Sequence, residues 1–207
     1  MGTVLLVGVA LIAAYLIGSL SGSLLLARAF GRADPRASGR GNAGATNALR
    51  TGGRGYGAAV LVFDLVKGVV AALLLPALFG LGFAAALACG AAAVIGHVYP
   101  VFFGFRGGKG AATLIGVLLA LLPGALLLGV AVWIATLVAT GYVGLATLLG
   151  MVGVALATLF APAAGAAAKL FVIAMTALIF YTHRENIRRL RAGNENRFER
   201  VMLRRKR

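Results

Sequence analysis

Long apolar runs alternate with short polar stretches along most of this chain. From Thr3 to Ala27 the run is almost wholly apolar, and its roughly 25 residues suffice to cross ~30 Å of hydrocarbon with some tilt. No Lys or Arg precedes it and Arg28 follows it. A secretory signal has the opposite polarity, so an uncleaved helix with its N-terminus outside is expected. The polar stretch Arg28–Arg54 then reads as a cytoplasmic loop. A second span runs from about Tyr56 to Phe79 and turns outside at Gly80-Leu81-Gly82. A third, from about Phe83 to Phe103, returns to a short basic loop, Gly104–Gly110.

The stretch from Ala111 to Thr182 starts beside Lys109 and ends beside Arg184, so it must cross an even number of times. Breaks at Leu122-Pro123-Gly124, Thr140-Gly141-Tyr142 and Ala161-Pro162-Ala163 delimit segments 111–121, 123–139, 142–160 and 163–182. The pattern therefore predicts an all-α polytopic membrane helix bundle. It has seven transmembrane helices, with five as the alternative, an outside N-terminus and a cytoplasmic C-terminus. Its 207 residues make one domain by length, with a basic cytoplasmic tail from about 184 to 207.

Composition agrees with that pattern and excludes a soluble globule. Hydrophobic residues are 61% of the chain, charged residues 12% and the mean hydropathy +0.97. A soluble domain carries about 25% charged residues, so this chain cannot cover its surface with polar groups. The 30 glycines sit among Leu, Val and Ala, as in membrane helices that approach closely through small residues.

A net charge of +15 would suggest nucleic acid in a soluble protein. Here location decides. All but two of the 20 basic residues lie in Arg28–Arg54, at Arg106 and Lys109, or in Arg184–Arg207, as the positive-inside rule requires. No nucleic-acid partner is expected, and the lipid bilayer is the partner that the charge pattern implies, with Arg197–Arg207 suited to anionic lipid. The single cysteine, Cys89, lies mid-span, which leaves neither a disulfide framework nor a reactive thiol.

Polar residues gather in three places on the same side of the membrane. The first loop carries Ser38, Gly39, Gly41, Asn42, Gly44, Thr46, Asn47 and Arg50. Glycines let a backbone approach a ligand and turn successive amides toward an anion, and Arg supplies a fork matched to phosphate. A flexible polar loop explains the glycines but not the two asparagines that flank Gly44-Ala45-Thr46.

The second loop has His97, then Gly107-Gly108-Lys109-Gly110 opening an apolar helix that carries Thr113. Amides at a helix start beside a Lys charge suit a phosphate, although this is not a Walker A motif. A tight turn is the alternative for the glycines. The third cluster, His183, Asn186 and Glu195, follows the last span, with His183 and Asn186 on one helical face. Asp64 and Lys67 form an intramembrane pair at i, i+3, where lone charges cost ~2.5–3.5 kcal/mol or more. They are read as structural support.

The inventory also excludes chemistry. There are five carboxylates and no acidic cluster at metal-ligand spacing, so neither a metal nor another cofactor is expected. Phe102 and Arg188 stand five residues after His97 and His183, so a His-x4-Asp acyltransferase dyad is missing. A phosphate-binding surface without a strong base remains, and it needs a substrate that is already activated. A transporter for a phosphorylated solute would put such residues near the bilayer midplane. A lipid-binding scaffold would need the basic tail but not Gly107–Gly110 or His183 and Asn186.

Together the three clusters resemble the bacterial acyl-phosphate:glycerol-3-phosphate acyltransferase family, an integral membrane family. The resemblance runs from Gly18-Ser19 through Asp64-Leu-Val-Lys67-Gly68 to Glu195. It is carried mainly by Gly41-Asn-Ala-Gly-Ala-Thr-Asn47 with Arg50, Gly96-His-Val-Tyr-Pro100 with Phe105–Thr113, and His183–Leu190 with Gly193-Asn-Glu195. The family's first motif usually reads Gly-Ser-Gly-Asn, where this chain has Gly39-Arg40-Gly41-Asn42, and Ser38 lies two residues before Arg40.

The resemblance implies transfer of a fatty acyl group from acyl phosphate to the 1-hydroxyl of glycerol 3-phosphate, the first step of phospholipid synthesis. It implies Ser38, Arg50, Lys109, His183 and Asn186 as catalytic residues. Gly41, Asn42, Gly44, Thr46, Asn47, His97, Gly107, Gly108, Gly110 and Thr113 would bind substrate, with the first loop on the acyl-phosphate head and the amides of Gly107, Gly108 and Gly110 on glycerol 3-phosphate. Asp64, Lys67 and Glu195 would support the site. The expected setting is the bacterial inner membrane, with the site on the cytoplasmic face of a monomer.

Overall fold

The computed structural model describes residues 2–39, 41–198 and 202. Met1, Arg40, whose relation to Ser38 bears on the first motif, and most of the tail after residue 198 lie outside the described residues. A chain this apolar must satisfy its backbone within its own segments, and helices do so. The described residues contain helices and no strands. In order they are α1 (Gly2–Ser19), α2 (Gly22–Ala29), α3 (Ala45–Leu78), α4 (Phe83–Val98), α5 (Ala111–Leu121), α6 (Pro123–Thr140), α7 (Val143–Phe160), α8 (Ala166–Thr182) and α9 (Arg184–Arg191).

By length and composition, five helices could cross a membrane: α1, α3, α4 with its 3-10 extension to Phe103, α6 and α7. A sixth arises if α8 and α9, bent by 56°, are taken together. α5 has 11 residues, about 16 Å of helix at 1.5 Å per residue.

The chain divides after Leu121 into two compact units. In the first, α1, α3 and α4 meet through small side chains: Ala10, Ala14, Ala71, Leu75, Cys89 and Ala93 form one core cluster. Gly18 and Gly96 let the α1 and α4 backbones touch. A methyl at Gly18 would stand 2.1 Å from the Ala93 carbonyl, and one at Gly96 would stand 2.2 Å from that of Tyr15. Such interfaces hold membrane helices by dispersion at close range. In the second unit, α6 and α7 pack through Gly129, Gly150 and Gly153, and α8 and α9 pack on α7.

Two boundaries differ from the sequence expectation. The first apolar run is not one helix. It breaks at Leu20 and Ser21, between α1 and α2. Polar groups from α3 serve the unwound backbone there: the ammonium of Lys67 donates to the Leu20 carbonyl (2.9 Å), and the amide of Gly22 donates to Asp64 (3.3 Å). Nor is Arg28–Arg54 a loop throughout. α3 already starts at Ala45 and bends at Gly53, whose φ of 84° and ψ of −178° suit glycine. The second span therefore grows out of the motif itself, not after it.

Candidate functional site

In the first unit, the chain from Asp34 to Gly44 is built around side chains that bind it to itself. Asp34 caps a 3-10 turn (Pro35–Ala37) by accepting from the Arg36 amide at 2.8 Å. Asn47, 1% exposed in the first turn of α3, reaches back through Nδ2 to the carbonyls of Pro35 (2.7 Å), Asn42 (2.9 Å) and Ser38 (3.3 Å). Asn42 accepts the Gly44 amide at 3.1 Å, turning the chain into the helix start. Asn47 Nδ2 is engaged in this tie, which shapes the loop, and the Asn42 carboxamide oxygen is likewise engaged within it. Ser38, Gly41, Thr46 and Arg50 are exposed and Gly44 half-buried around this scaffold.

The second loop is joined to the first. The amide of Ala43 donates to the Gly107 carbonyl at 3.3 Å, and the Ser23 hydroxyl holds the Ala43 carbonyl at 2.8 Å. Arg36 donates to the carbonyls of Phe103 (2.8 Å) and Arg106 (3.1 Å) while Asp34 grips its guanidinium at 2.7 Å. That hydrogen bond from Arg36 holds the Asp34 carboxyl below the ordinary carboxylate range, and the carboxylate raises Arg36 in return. A lowered Asp pKa gives a contribution present at neutral pH and lost only as pH falls through the lowered value.

The glycines of the second loop do not all offer free amides. Gly107 donates to the Val98 carbonyl and Gly108 to that of His97, each at 3.1 Å. This corrects the expectation that both amides face a ligand: each N–H has one hydrogen, and it is engaged within the loop. α5 follows at once, and the first four amides of any helix lack an intrahelical partner. Gly110, at φ 86°, leads into that turn after half-buried Lys109. Thr113 lies in the same turn, 0% exposed, and its hydroxyl has no hydrogen-bond partner among the described residues.

Behind this loop the structure joins His97 to the Asp64–Lys67 pair, from which the sequence reading kept it apart. Asp64 on α3 is 0% exposed, and its Oδ1 lies 2.9 Å from Lys67 Nζ and 3.4 Å from His97 Nδ1. Lys67 Nζ stands 3.0 Å from that same Nδ1. His97, expected among the substrate-binding residues, is thus buried behind the loop with the supporting pair.

The third cluster lies in the second unit. His183 sits between α8 and α9 with Nδ1 2.9 Å from the Ile179 carbonyl. A carbonyl only accepts, so Nδ1 carries a proton. Asn186 donates to Glu195 Oε1 at 3.1 Å, and Glu195 pairs with Arg189. Asn186 also packs on Gly144 of α7, where a methyl would stand 2.7 Å from its Nδ2. Arg197 and Phe198 then bond to the carbonyls of Thr140 and Gly141, returning the chain to the α6–α7 turn. Among the described residues no three His, Cys, Asp or Glu side chains gather as a metal site.

Arg36, Ser23 and the tie made by Asn47 are the parts that sequence reasoning missed. Arg36 looked like one of several retention charges. Its signal was Asp34 two residues before it.

Helices that pack through small residues, broken where a buried ion pair serves the backbone, define a membrane-embedded helical protein. The comparisons with known proteins agree. Residues 8–193 match the family described as glycerol-3-phosphate acyltransferase, and the chain belongs to that family. A glycerol-3-phosphate acyltransferase of Pseudomonas paraeruginosa is 46% identical over 187 residues, 90% of this chain and 97% of its own. One from Rhizobium meliloti is also 46% identical, covering 90% of both. The crystal structure of PlsY (YgiH), an integral membrane glycerol 3-phosphate acyltransferase, in its glycerol 3-phosphate form has a TM-score of 0.86 at 40% identity, covering 93% of this chain and 95% of that one. Its lysophosphatidic acid form gives 0.84 at 39% identity, with the same coverage.

Proposed function

We propose that the acyl donor of this glycerol-3-phosphate acyltransferase is a fatty acyl phosphate. Its acyl group passes to the 1-hydroxyl of glycerol 3-phosphate, giving 1-acyl-glycerol 3-phosphate and phosphate. The observation that carries this reading is the join between the two loops. Each leads directly into a helix start, at Ala45 and at Ala111, and the Ala43–Gly107 hydrogen bond with the Arg36 clamp holds them together. A helix start favours an anion, and this reaction brings two phosphate groups into one site.

The first loop, from Ser38 through Gly41, Asn42 and Gly44 to Thr46 and Asn47, takes the acyl-phosphate head. Arg50, Lys109, Gly110 and the first turn of α5 with Thr113 take glycerol 3-phosphate, while Gly107 and Gly108 act through the shape of the loop. From the motif alone, His183 and Asn186 are assigned to orient the reacting groups. The acceptor hydroxyl attacks the acyl carbon, the bond from that carbon to the phosphate oxygen breaks, and the departing phosphate accepts the hydroxyl proton. Orientation and charge stabilisation are what the protein supplies, and no acyl-enzyme forms.

Purified protein with palmitoyl phosphate and labelled glycerol 3-phosphate, without added metal, should yield labelled lysophosphatidic acid, and palmitoyl-CoA should yield little. Comparable rates with the two donors, or a burst of acylated protein, would refute the mechanism.

The basic segments support a bacterial inner-membrane protein with an outside N-terminus and these loops in the cytoplasm, a placement that seven crossings, with the broken α1–α2 run as the first, and five crossings both satisfy. Cysteines introduced singly beside Arg50, Lys109 and Arg189, in a Cys89→Ala background, should resist impermeant thiol reagents in intact cells and react in inverted vesicles. Labelling of any one from outside contradicts this orientation.

A further inference from the structure

Asp64 and Lys67 on α3 and His97, which the structure places on α4 and not in the second loop, are buried, yet they touch two irregular segments of the first unit. At one end lies the break between α1 and α2. Its Leu20 carbonyl accepts from Lys67 at 2.9 Å, and its Gly22 amide donates to Asp64 Oδ1 at 3.3 Å. At the other end lies the Gly107–Gly110 loop. The His97 carbonyl accepts the Gly108 amide at 3.1 Å, and a methyl on Gly108 would stand 2.1 Å from His97 Nε2. One residue therefore meets Gly108, the neighbour of Lys109, through both its backbone and its ring.

The donors and acceptors fix the state of that ring. An ammonium has three N–H donors and no acceptor. Lys67 Nζ has three acceptors around it: Asp64 Oδ1 at 2.9 Å, the Leu20 carbonyl at 2.9 Å and His97 Nδ1 at 3.0 Å. His97 Nδ1 must then accept, and the ring proton sits on Nε2, against Gly108. The reverse tautomer would donate from Nδ1 to Asp64 across 3.4 Å while placing two donors 3.0 Å apart.

We propose that Asp64, Lys67 and His97 form a strut of positioning residues for acceptor binding: they tie the broken first span to the Gly107–Gly110 loop, with His97 held as the Nε2–H tautomer. This rests on the assignment of that loop to glycerol 3-phosphate. A shift of the loop would move Lys109 and the start of α5 together, while the Asn47 tie would keep its own geometry around the donor.

Two measurements test it. The chain has two histidines, so a sample labelled with 15N-histidine gives two imidazole spin systems, and His183→Gln identifies which belongs to His97. At neutral pH the His97 signals should show a bare Nδ1 and a protonated Nε2; a proton on Nδ1 overturns the strut. In steady-state kinetics, His97→Ala should raise KM for glycerol 3-phosphate about tenfold or more, as small misplacements do, with kcat and the acyl-phosphate KM nearly unchanged. His97→Asn, whose carboxamide oxygen can accept from Lys67 near the Nδ1 position, should recover much of that loss. Equal effects on both substrates, or no recovery with Asn, overturn the positioning role. If the unaltered protein fails to acylate glycerol 3-phosphate, the functional reading falls, and the tautomer measurement, which needs no turnover, still decides the strut.

Discussion

Lys67→Met should lower the stability of the folded protein by about 3–5 kcal/mol, the range for removing one partner of a buried ion pair. Three groups lose their donor at once: the Asp64 carboxylate at 0% exposure, the Leu20 carbonyl in the α1–α2 break, and His97 Nδ1. Asp64 has little reserve, since its Oδ2 has no hydrogen-bond partner among the described residues. Thermal unfolding in detergent should show a clear fall in the midpoint, and a midpoint equal to that of the unaltered protein would contradict this account. A double change to Asp64→Leu and Lys67→Met should not restore stability, although buried pairs elsewhere can be exchanged for apolar residues at little cost. Here the pair also satisfies unwound backbone, whose exposed polar groups in an apolar setting cost several kcal/mol each.

How much of this was legible in the sequence depended on how local the cause was. The start of α6, its end and the end of α7 follow Pro123, Gly141 and the Ala161-Pro162 step, because a proline opens a helix or stands just past its end and a glycine at φ 73° closes one. The break at Leu20 and Ser21 lies in Gly18-Ser-Leu-Ser-Gly-Ser23, a loop-type signal hidden by the length of the apolar run around it. Its backbone is served by two side chains that arrive from α3, more than 40 residues later. Likewise Gly-Asn-Ala-Gly reads as loop, and only the Asn42 turn and the Asn47 tie show that a helix begins inside the motif.

The residue types of the site were legible, and their partners were less so. Asp64 and Lys67 stood out as intramembrane charges, but nothing local links them to His97 on another helix. Arg36 hid among the basic residues that the positive-inside rule already explained, and its clamp on the Phe103 and Arg106 carbonyls is a long-range contact. The glycines of the second loop suggested anion-binding amides, whereas the Gly107 and Gly108 amides donate to the Val98 and His97 carbonyls.

That last difference gives a sharp test at Gly108. Its backbone conformation is open to alanine, since its φ is not among the positive values. The obstacle is steric: the new methyl would lie 2.1 Å from His97 Nε2 and 2.9 Å from Cε1. His97 is 2% exposed and fixed at Nδ1, so the ring cannot swing aside without releasing Lys67, and the loop has to move instead. Gly108→Ala should therefore raise KM for glycerol 3-phosphate by at least about tenfold, with the acyl-phosphate KM little changed, the signature of lost acceptor binding. If the methyl acted by pushing on the ligand itself, it would do so whatever stood at residue 97. If it acts through the ring, removing the ring removes the clash, and adding Gly108→Ala to His97→Ala should cost almost nothing further. Contacting residues show such non-additivity, and independent ones do not. A double variant whose KM for glycerol 3-phosphate is the product of the two single effects would mean that the methyl meets the substrate directly.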